Sequence, residues 1–298
     1  MINNSAAVQS LAGDRGIAFI WRKNGGKPDA LWKPSDAGAY YWPGDAANVD
    51  GKLYVFLHVI KPKPQAAPPF QFETTEDVMM RVENPLATPL EWSLKLAPLG
   101  NRSSEINFGV ACWVDDKYFY SFCSYPSAGK SFKKHPTIVA RINKRALAEL
   151  DMSKWEYWCR STRNAHRGQW QRKLARPLVL VPDGAPEMSV SKMRNISGLL
   201  ATYMPGFSRK IFIRHSMNPA GPWSKPVLAY TVPETEKGIL LYSAKAHPEQ
   251  PCGRDELVVT YCRNSEDFAW HISRPEIYFP QAVIVRLRPI GKKVGPRP

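Results

Sequence analysis

Three carboxylates in this 298-residue chain sit in settings that suit acid–base work on a sugar. Asp45 closes the run Tyr40-Tyr41-Trp42-Pro43-Gly44-Asp45. Rings beside a carboxylate are what such a site needs, because sugar C–H faces stack on aromatics while the carboxylate works on the glycosidic bond. Glu187 follows Ala185-Pro186 and leads into the polar stretch Met188-Ser189-Val190-Ser191. Glu249 belongs to Lys245-Ala246-His247-Pro248-Glu249, where alternate residues of an extended strand would put Lys245, His247 and Glu249 on one side. Asp45, Glu187 and Glu249 are the candidate catalytic residues; Trp42, Tyr41, Lys245, His247, Arg214, Tyr203 and Asn264 are the candidate substrate contacts. Glu105 and Asn107 occupy a similar place with less context. The structural alternative stands beside each: Asp45 could cap a turn, Tyr41 and Trp42 could be core, and Lys245-His247-Glu249 could be an ion-pair network.

Other chemistries find no support. The chain has no phosphate-cradling G-x-G-x-x-G or Walker loop, no G-x-S-x-G elbow and no H-E-x-x-H. Its five cysteines show no C-x-x-C spacing, so neither a metal nor a cofactor is expected. A net charge of +15 gathers anions at the surface, but the basic residues come in scattered pairs and no nucleic-acid-binding signature accompanies them. Nucleic acid is therefore not an expected partner. No apolar run approaches the roughly 20 residues needed to span a bilayer. The first residues lack the basic start and apolar core of a signal peptide.

The carboxylates need elements to hold them, and the composition points to strands. Ten Trp, twelve Tyr and twelve Phe, with 27 Pro and 19 Gly, favour many short strands joined by turns. One layout recurs four times: a polar or acidic cluster, then a turn, then an apolar strand. It appears at 42–57, 105–122, 185–203 and 242–264. The sharpest turns are Val49-Asp50-Gly51-Lys52 and Val114-Asp115-Asp116-Lys117. The second predicts strands over 107–114 and 117–123, with Cys112 opposite Phe119 and hence no Cys112–Cys123 disulfide. A second recurrent feature is a proline-rich turn ending in Trp, at Asn84-Pro85 to Trp92, at Asp151 to Trp155, and at Asn218-Pro219 to Trp223. Each follows a strand-like stretch, which fits a third strand, a turn and an outer strand in which Trp packs between blades. Only Asn143–Leu150 reads as helix.

These repeats describe an all-β, five-bladed β-propeller in one domain over 1–298, with 1–15 and 289–298 as flexible tails. The first blade is incomplete: Gly16–Lys23 and Ala30–Lys33 supply its outer part, and Gln281–Arg288 is expected to close it, removing exposed sheet edges.

Trp42-Pro43-Gly44-Asp45, Asp50-Gly51-Lys52-Leu53-Tyr54, Gly221-Pro222-Trp223, Lys245-Ala246-His247-Pro248-Glu249, Val259–Ser265 and Tyr278-Phe279-Pro280, in that order, carry a resemblance. The chain is similar over about 30–288 to a five-bladed propeller family, catalogued as a domain of unknown function, that includes endo-D-arabinanases. The resemblance implies an axial pocket in which acids from different blades cleave a furanoside or related glycan. It also implies export. Asp45 would be the inner-strand acid of its blade, with Glu187 and Glu249 the acids of later ones. Family members begin with a further acidic strand, in place of which this chain has Ala12-Gly13-Asp14-Arg15.

Two functions follow as expectations. One is a glycoside hydrolase on an arabinan-type furanoside or other cell-wall polysaccharide, with Asp45 ionised, Glu187 as the acid and Glu249 tuning or binding, acting as a monomer on a glycan. Carboxyls about 5–5.5 Å apart would retain the anomeric configuration, and roughly 6.5–9.5 Å would invert it. The other is a non-catalytic propeller that binds an anionic glycan or a protein, its central carboxylates neutralised by Lys245, Arg214 or Lys192.

Overall fold

The computed structural model describes residues 3–9, 16–66, 71–99, 106–125, 135–161, 167–265 and 267–287. Two ribbons come first: β1 (Ala6–Gln9) with β2 (Ile17–Ile20), and β3 (Arg22–Asn24) with β4 (Lys27–Asp29). Four blade-like sheets follow. Blade 1 holds β5 (Tyr40–Val49), β6 (Lys52–Pro62), β7 (Phe72–Val82) and β8 (Leu94–Pro98). Blade 2 holds β9 (Asn107–Val114), β10 (Tyr118–Ser124), β11 (Thr137–Asn143), β12 (Glu156–Arg160) and β13 (Gly168–Gln171), with the short helix α1 (Lys144–Ala148) after β11. Blade 3 holds β14 (Met188–Ser191), β15 (Leu199–Tyr203), β16 (Lys210–Ser216) and β17 (Val227–Thr231). Blade 4 holds β18 (Ile239–His247), β19 (Glu256–Ser265) and β20 (Gln281–Arg286), with helix α2 (Phe268–Ser273) between the last two.

The arrangement is an all-β propeller of four blades, and this corrects the count of five. Two local preferences account for the difference. Gln281–Arg286 runs back antiparallel along β19, setting Val285 opposite Leu257 and Val283 opposite Val259, so it completes the last sheet and is not free to close another. The N-terminal stretch spends its backbone bonds in two-stranded ribbons and, among the described residues, forms no four-stranded sheet. It acts as a cover. Leu31 is 1% exposed, and Trp32 stacks on Trp92 at 5.9 Å, over the face of blade 1 that carries Tyr41, Leu57 and Met80.

Strands in the middle of a blade are buried on both faces, which is why Leu53–Leu57 is an unbroken apolar run and Phe119–Cys123 is interrupted only by the buried Ser121. Each blade packs on the next through its own contact. Phe56 stacks on Phe108 at 6.0 Å between blades 1 and 2, and Phe122 meets Trp223 edge-on at 5.9 Å between blades 2 and 3. The Ala246 N–H donates to Ser189 Oγ at 2.7 Å between blades 3 and 4. The ring closes where Lys245 Nζ reaches Asp45 Oδ1 at 3.7 Å.

The turns show the chemistry behind the repeats. Asp50 and Gly51 take φ of 49° and 81°, the doubly left-handed pair of a type I′ hairpin, with Val49 paired to Lys52. Trp92 Nε1 donates back to Ala87 O at 2.9 Å, and Trp223 Nε1 to Pro219 O at 3.2 Å, so the indole fastens the turn it ends. Trp155 packs between blades, 5.1 Å from Phe108 and 6.3 Å from Phe56. Asn143 caps α1 by accepting from Arg145 N.

The register in blade 2 differs from expectation by two residues. Cys112 lies opposite Ser121, and Phe119 opposite Val114. Asp115 is the cause: its Oδ1 accepts from the N–H groups of Lys117 at 2.8 Å and Tyr118 at 2.7 Å, which moves the corner along the chain. A two-residue shift keeps each side chain on its face. All five cysteines are free.

The tail expected at 289–298 lies outside the described residues, as do 10–15 of the other. Asn4, however, is buried and holds the cover down. Its Nδ2 donates to Trp32 O at 3.0 Å and Tyr41 O at 3.1 Å, while its Oδ1 accepts from Trp32 N at 2.9 Å. Asn4→Ala would strand these backbone groups at a cost of about 2 kcal/mol. Urea denaturation followed by fluorescence is expected to show a lower midpoint with an unchanged slope; an unmoved midpoint would contradict the clasp.

Candidate active site

The innermost strands β5, β9, β14 and β18 carry the candidate residues to the propeller axis. They approach closely because small residues face one another there. A Cβ on Gly44 would lie 2.9 Å from Gly109 O, and one on Gly109, whose φ is +70°, would lie 2.4 Å from Phe56 Cβ. Pairing slips at Pro43/Ala46 in β5 and at Tyr242/Lys245 in β18, and these bulges re-aim the side chains beside them.

Asp45 sits at the first bulge, partly exposed. Its Oδ2 accepts the Cys112 N–H at 2.7 Å, and its Oδ1 faces Lys245 at 3.7 Å. Glu187 stands one residue before β14, and its charge acts on Tyr242, Tyr278 and Cys262. The Lys245 charge acts on both the Cys112 thiol and the Cys262 thiol, and so do the charges of Asp45 and Glu187 respectively. Burial first, and then the nearby carboxylates, push both thiols up: Cys112 well above its ordinary value and Cys262 to about 11. Burial likewise raises the hydroxyls of Tyr242 and Tyr278, so these remain proton donors at neutral pH.

The alternation expected to bring Glu249 inward stops short of it. β18 ends at His247 and the chain turns, with Gln250 N donating to His247 O at 3.1 Å. Glu249 is exposed in that turn, where a hydrogen bond from His247 Nδ1 at 3.0 Å lowers its pKa. His247 Nε2 meets Thr260 Oγ1 at 2.7 Å. Lys245 alone of the three reaches Asp45 among the described contacts.

Arg214 and Tyr203 belong to a separate network around Asp183, a residue the sequence reading passed over. Arg214 donates to Asp183 Oδ1 at 2.6 Å, to the Tyr203 hydroxyl at 2.8 Å and to Ser224 O at 2.8 Å. Burial works against the guanidinium charge, but these bonds outweigh it and hold its pKa above the ordinary value. The network ties down the segment that leads into β14, four residues before Glu187. The Pro182-Asp183-Gly184 turn was the available signal.

Tyr41 is core, 6% exposed under the N-terminal cover. Trp42 is 39% exposed and meets Phe72 edge-on at 5.1 Å. Asn264 binds His271 Nε2, and the His271 ring contacts Tyr278 at 5.7 Å, so these residues brace the 267–280 connection over the Glu187 end of the axis. Tyr278 is the group that sequence reasoning noticed as a motif and did not assign. Asn107 opens β9, and Glu105 lies outside the described residues. Among the described residues no group of three or more His, Cys, Asp or Glu is gathered to hold a metal, and no helix is long and apolar enough to cross a membrane.

The profile of the family described as Domain of unknown function (DUF5005) matches residues 1–286. The chain belongs to that family. No curated protein matches it. Among solved structures, a candidate hydrolase from Bacteroides ovatus is 18% identical with a TM-score of 0.63, and the match covers 84% of this chain and 61% of that one. The GH43 protein BlXynB from Bacillus licheniformis is 13% identical with a TM-score of 0.46, covering 84% of this chain and 42% of that one. The catalytic domain of the Coprinopsis cinerea GH62 α-L-arabinofuranosidase is 12% identical with a TM-score of 0.41, covering 86% and 94%. The first likeness speaks for the propeller fold; the chain spans less than two thirds of the length of that structure. Neither the family match nor these neighbours carries a link to endo-D-arabinanases.

Closed packing at the axis has a chemical readout. With a thiol near 11, about one Cys262 in a thousand is thiolate at pH 8. Brief iodoacetamide treatment of native protein at pH 8, read by mass spectrometry, is expected to modify exposed Cys252 first. Equal labelling of Cys112 or Cys262 would contradict the packing described.

Proposed function

We propose that this DUF5005 member is a glycoside hydrolase acting on an arabinan-type furanoside or other cell-wall polysaccharide, with Asp45 and Glu187 as its two carboxylates. The observation that carries the reading is Asp45 on the innermost strand of blade 1, paired with Lys245 of blade 4, while Glu187 at the entry to blade 3 acts on a thiol, Cys262, that Lys245 also acts on. Two carboxylates in one axial hollow are the minimum for the reaction: one gives a proton to the leaving oxygen while the other serves as base or nucleophile. Asp45, with the Cys112 N–H and Lys245 on its oxygens, suits the ionised role. Glu187, among the protonated Tyr242, Tyr278 and Cys262, suits that of the acid. Trp42 supplies a ring for stacking, and His247 with Glu249 forms a polar rim. The Bacteroides ovatus neighbour, named a hydrolase, lends the reading support by analogy of fold.

The same ion pair favours a second reading. An ammonium 3.7 Å from Asp45 is what a non-catalytic propeller would use to neutralise its central carboxylate while binding an anionic glycan through its surface.

Reducing-end release across arabinan, arabinoxylan and acidic wall polysaccharides separates the two. Hydrolysis by the wild type, with kcat lowered about 100-fold or more in Asp45→Asn and Glu187→Gln, is the outcome expected for the enzyme. Turnover that survives both substitutions would remove these residues from the chemistry. Retention on acidic polymers that fades with salt, without turnover, would favour the binder.

A further inference from the structure

Beside the axial cluster lies a buried pair that the proposed chemistry leaves unused. Trp42, His58 and Asp77 are successive cross-strand partners on β5, β6 and β7, so the three side chains form one row on the face of blade 1 that meets blade 2. Asp77 is 2% exposed. Its Oδ1 lies 2.7 Å from His58 Nδ1, and its Oδ2 accepts the Phe108 N–H of β9 at 3.0 Å. A carboxylate at Nδ1 fixes both the ring orientation and the tautomer, leaving Nε2 as an acceptor. That atom has no hydrogen-bond partner among the described residues, and it is not sealed from solvent.

One neighbour suggests what Nε2 awaits. Gly44, close by, is kept small by Gly109 O, which would lie 2.9 Å from a Cβ there. The cross-strand partner of His58 is Trp42, whose ring is 39% exposed and braced edge-on by Phe72. An apolar plate next to a fixed, unpartnered acceptor is the pairing that recognises a sugar ring, one C–H face stacked and one hydroxyl bonded.

We propose that His58, held by Asp77, marks a sugar subsite on the seam between the first two blades, where its Nε2 accepts a hydrogen bond from a hydroxyl of a ring lying on Trp42. This rests on the glycan reading of the axial site and extends it by one residue that sequence reasoning did not select. His58 is a binding and positioning residue; it takes no part in bond cleavage.

The test separates recognition from a purely structural stitch between blades. In His58→Asn the amide nitrogen can take the place of Nδ1 against Asp77, while nothing replaces Nε2. Isothermal titration with arabinan, arabinoxylan, L-arabinose and D-xylose, alongside reducing-end release, is run on wild type and variant. The expected result is an affinity or KM about tenfold weaker, with kcat and the thermal midpoint little changed. Wild type that binds and cleaves none of these probes overturns the glycan reading and the subsite with it. Wild type that binds, with His58→Asn binding equally well, overturns the subsite alone. Should His58→Asn lose thermal stability, Trp42→Leu at its half-exposed position reads the same plate: weaker binding supports the proposal, and unchanged binding ends it.

Discussion

Every blade of this protein has two apolar faces, and each face must be covered by something. This constraint orders the molecule. Phe56, Phe108, Phe119 and Trp155 fill the seam between blades 1 and 2, while Val110, Phe122, Val139 and Tyr203 fill the next. Met193, Leu200, Leu241 and Val259 fill the third. The remaining face of blade 1 has no sheet against it, and the N-terminal stretch covers it with Leu31 and Trp32 under the Asn4 clasp. The ribbons at the start of the chain are thus part of the same packing problem as the blades.

Covering the faces also decides what can stand at the centre. Four inner strands crowd one axis, and Gly44 and Gly109 let two of them meet closely. A few larger polar side chains then stand out among small ones. Asp45 and Lys245 both lie at irregularities in strand pairing, where a bulge turns a side chain toward the centre. The polar character of the site follows from backbone geometry as much as from residue type.

What the sequence disclosed was local. The Asp50-Gly51 turn, the short helix within Asn143–Leu150, the Trp-ended turns and the four recurrences each depend on a few neighbouring residues, and each is present in the structure. The blade count was misjudged because ring closure is set by contacts between distant segments, and only the partner of Gln281–Arg286 decides it. The register of blade 2 turned on one side chain, since Asp115 offers its oxygen to two backbone N–H groups and moves the corner. Strand alternation placed Lys245 well but failed for Glu249, which lies past the end of the strand. Asp183, His58 and Asp77 were missed because a polar residue in an apolar strand gives no hint of its cross-strand partner. The interruptions in Phe56–Ile60 and Glu76–Met80 were visible, but their meaning was not.

None of the four buried apolar clusters among the described residues joins blade 4 to blade 1. There Lys245 of blade 4 pairs with Asp45 of blade 1, and Gln250 bonds to Gln9 of the first N-terminal ribbon. Water competes for both, whereas it is shut out of the aromatic seams. The propeller therefore resembles a bracelet whose fastening doubles as its jewel: the joint between first and last blades is held by polar contacts, and parting it would separate Asp45 from Lys245. A guest bridging that joint would tighten the whole ring.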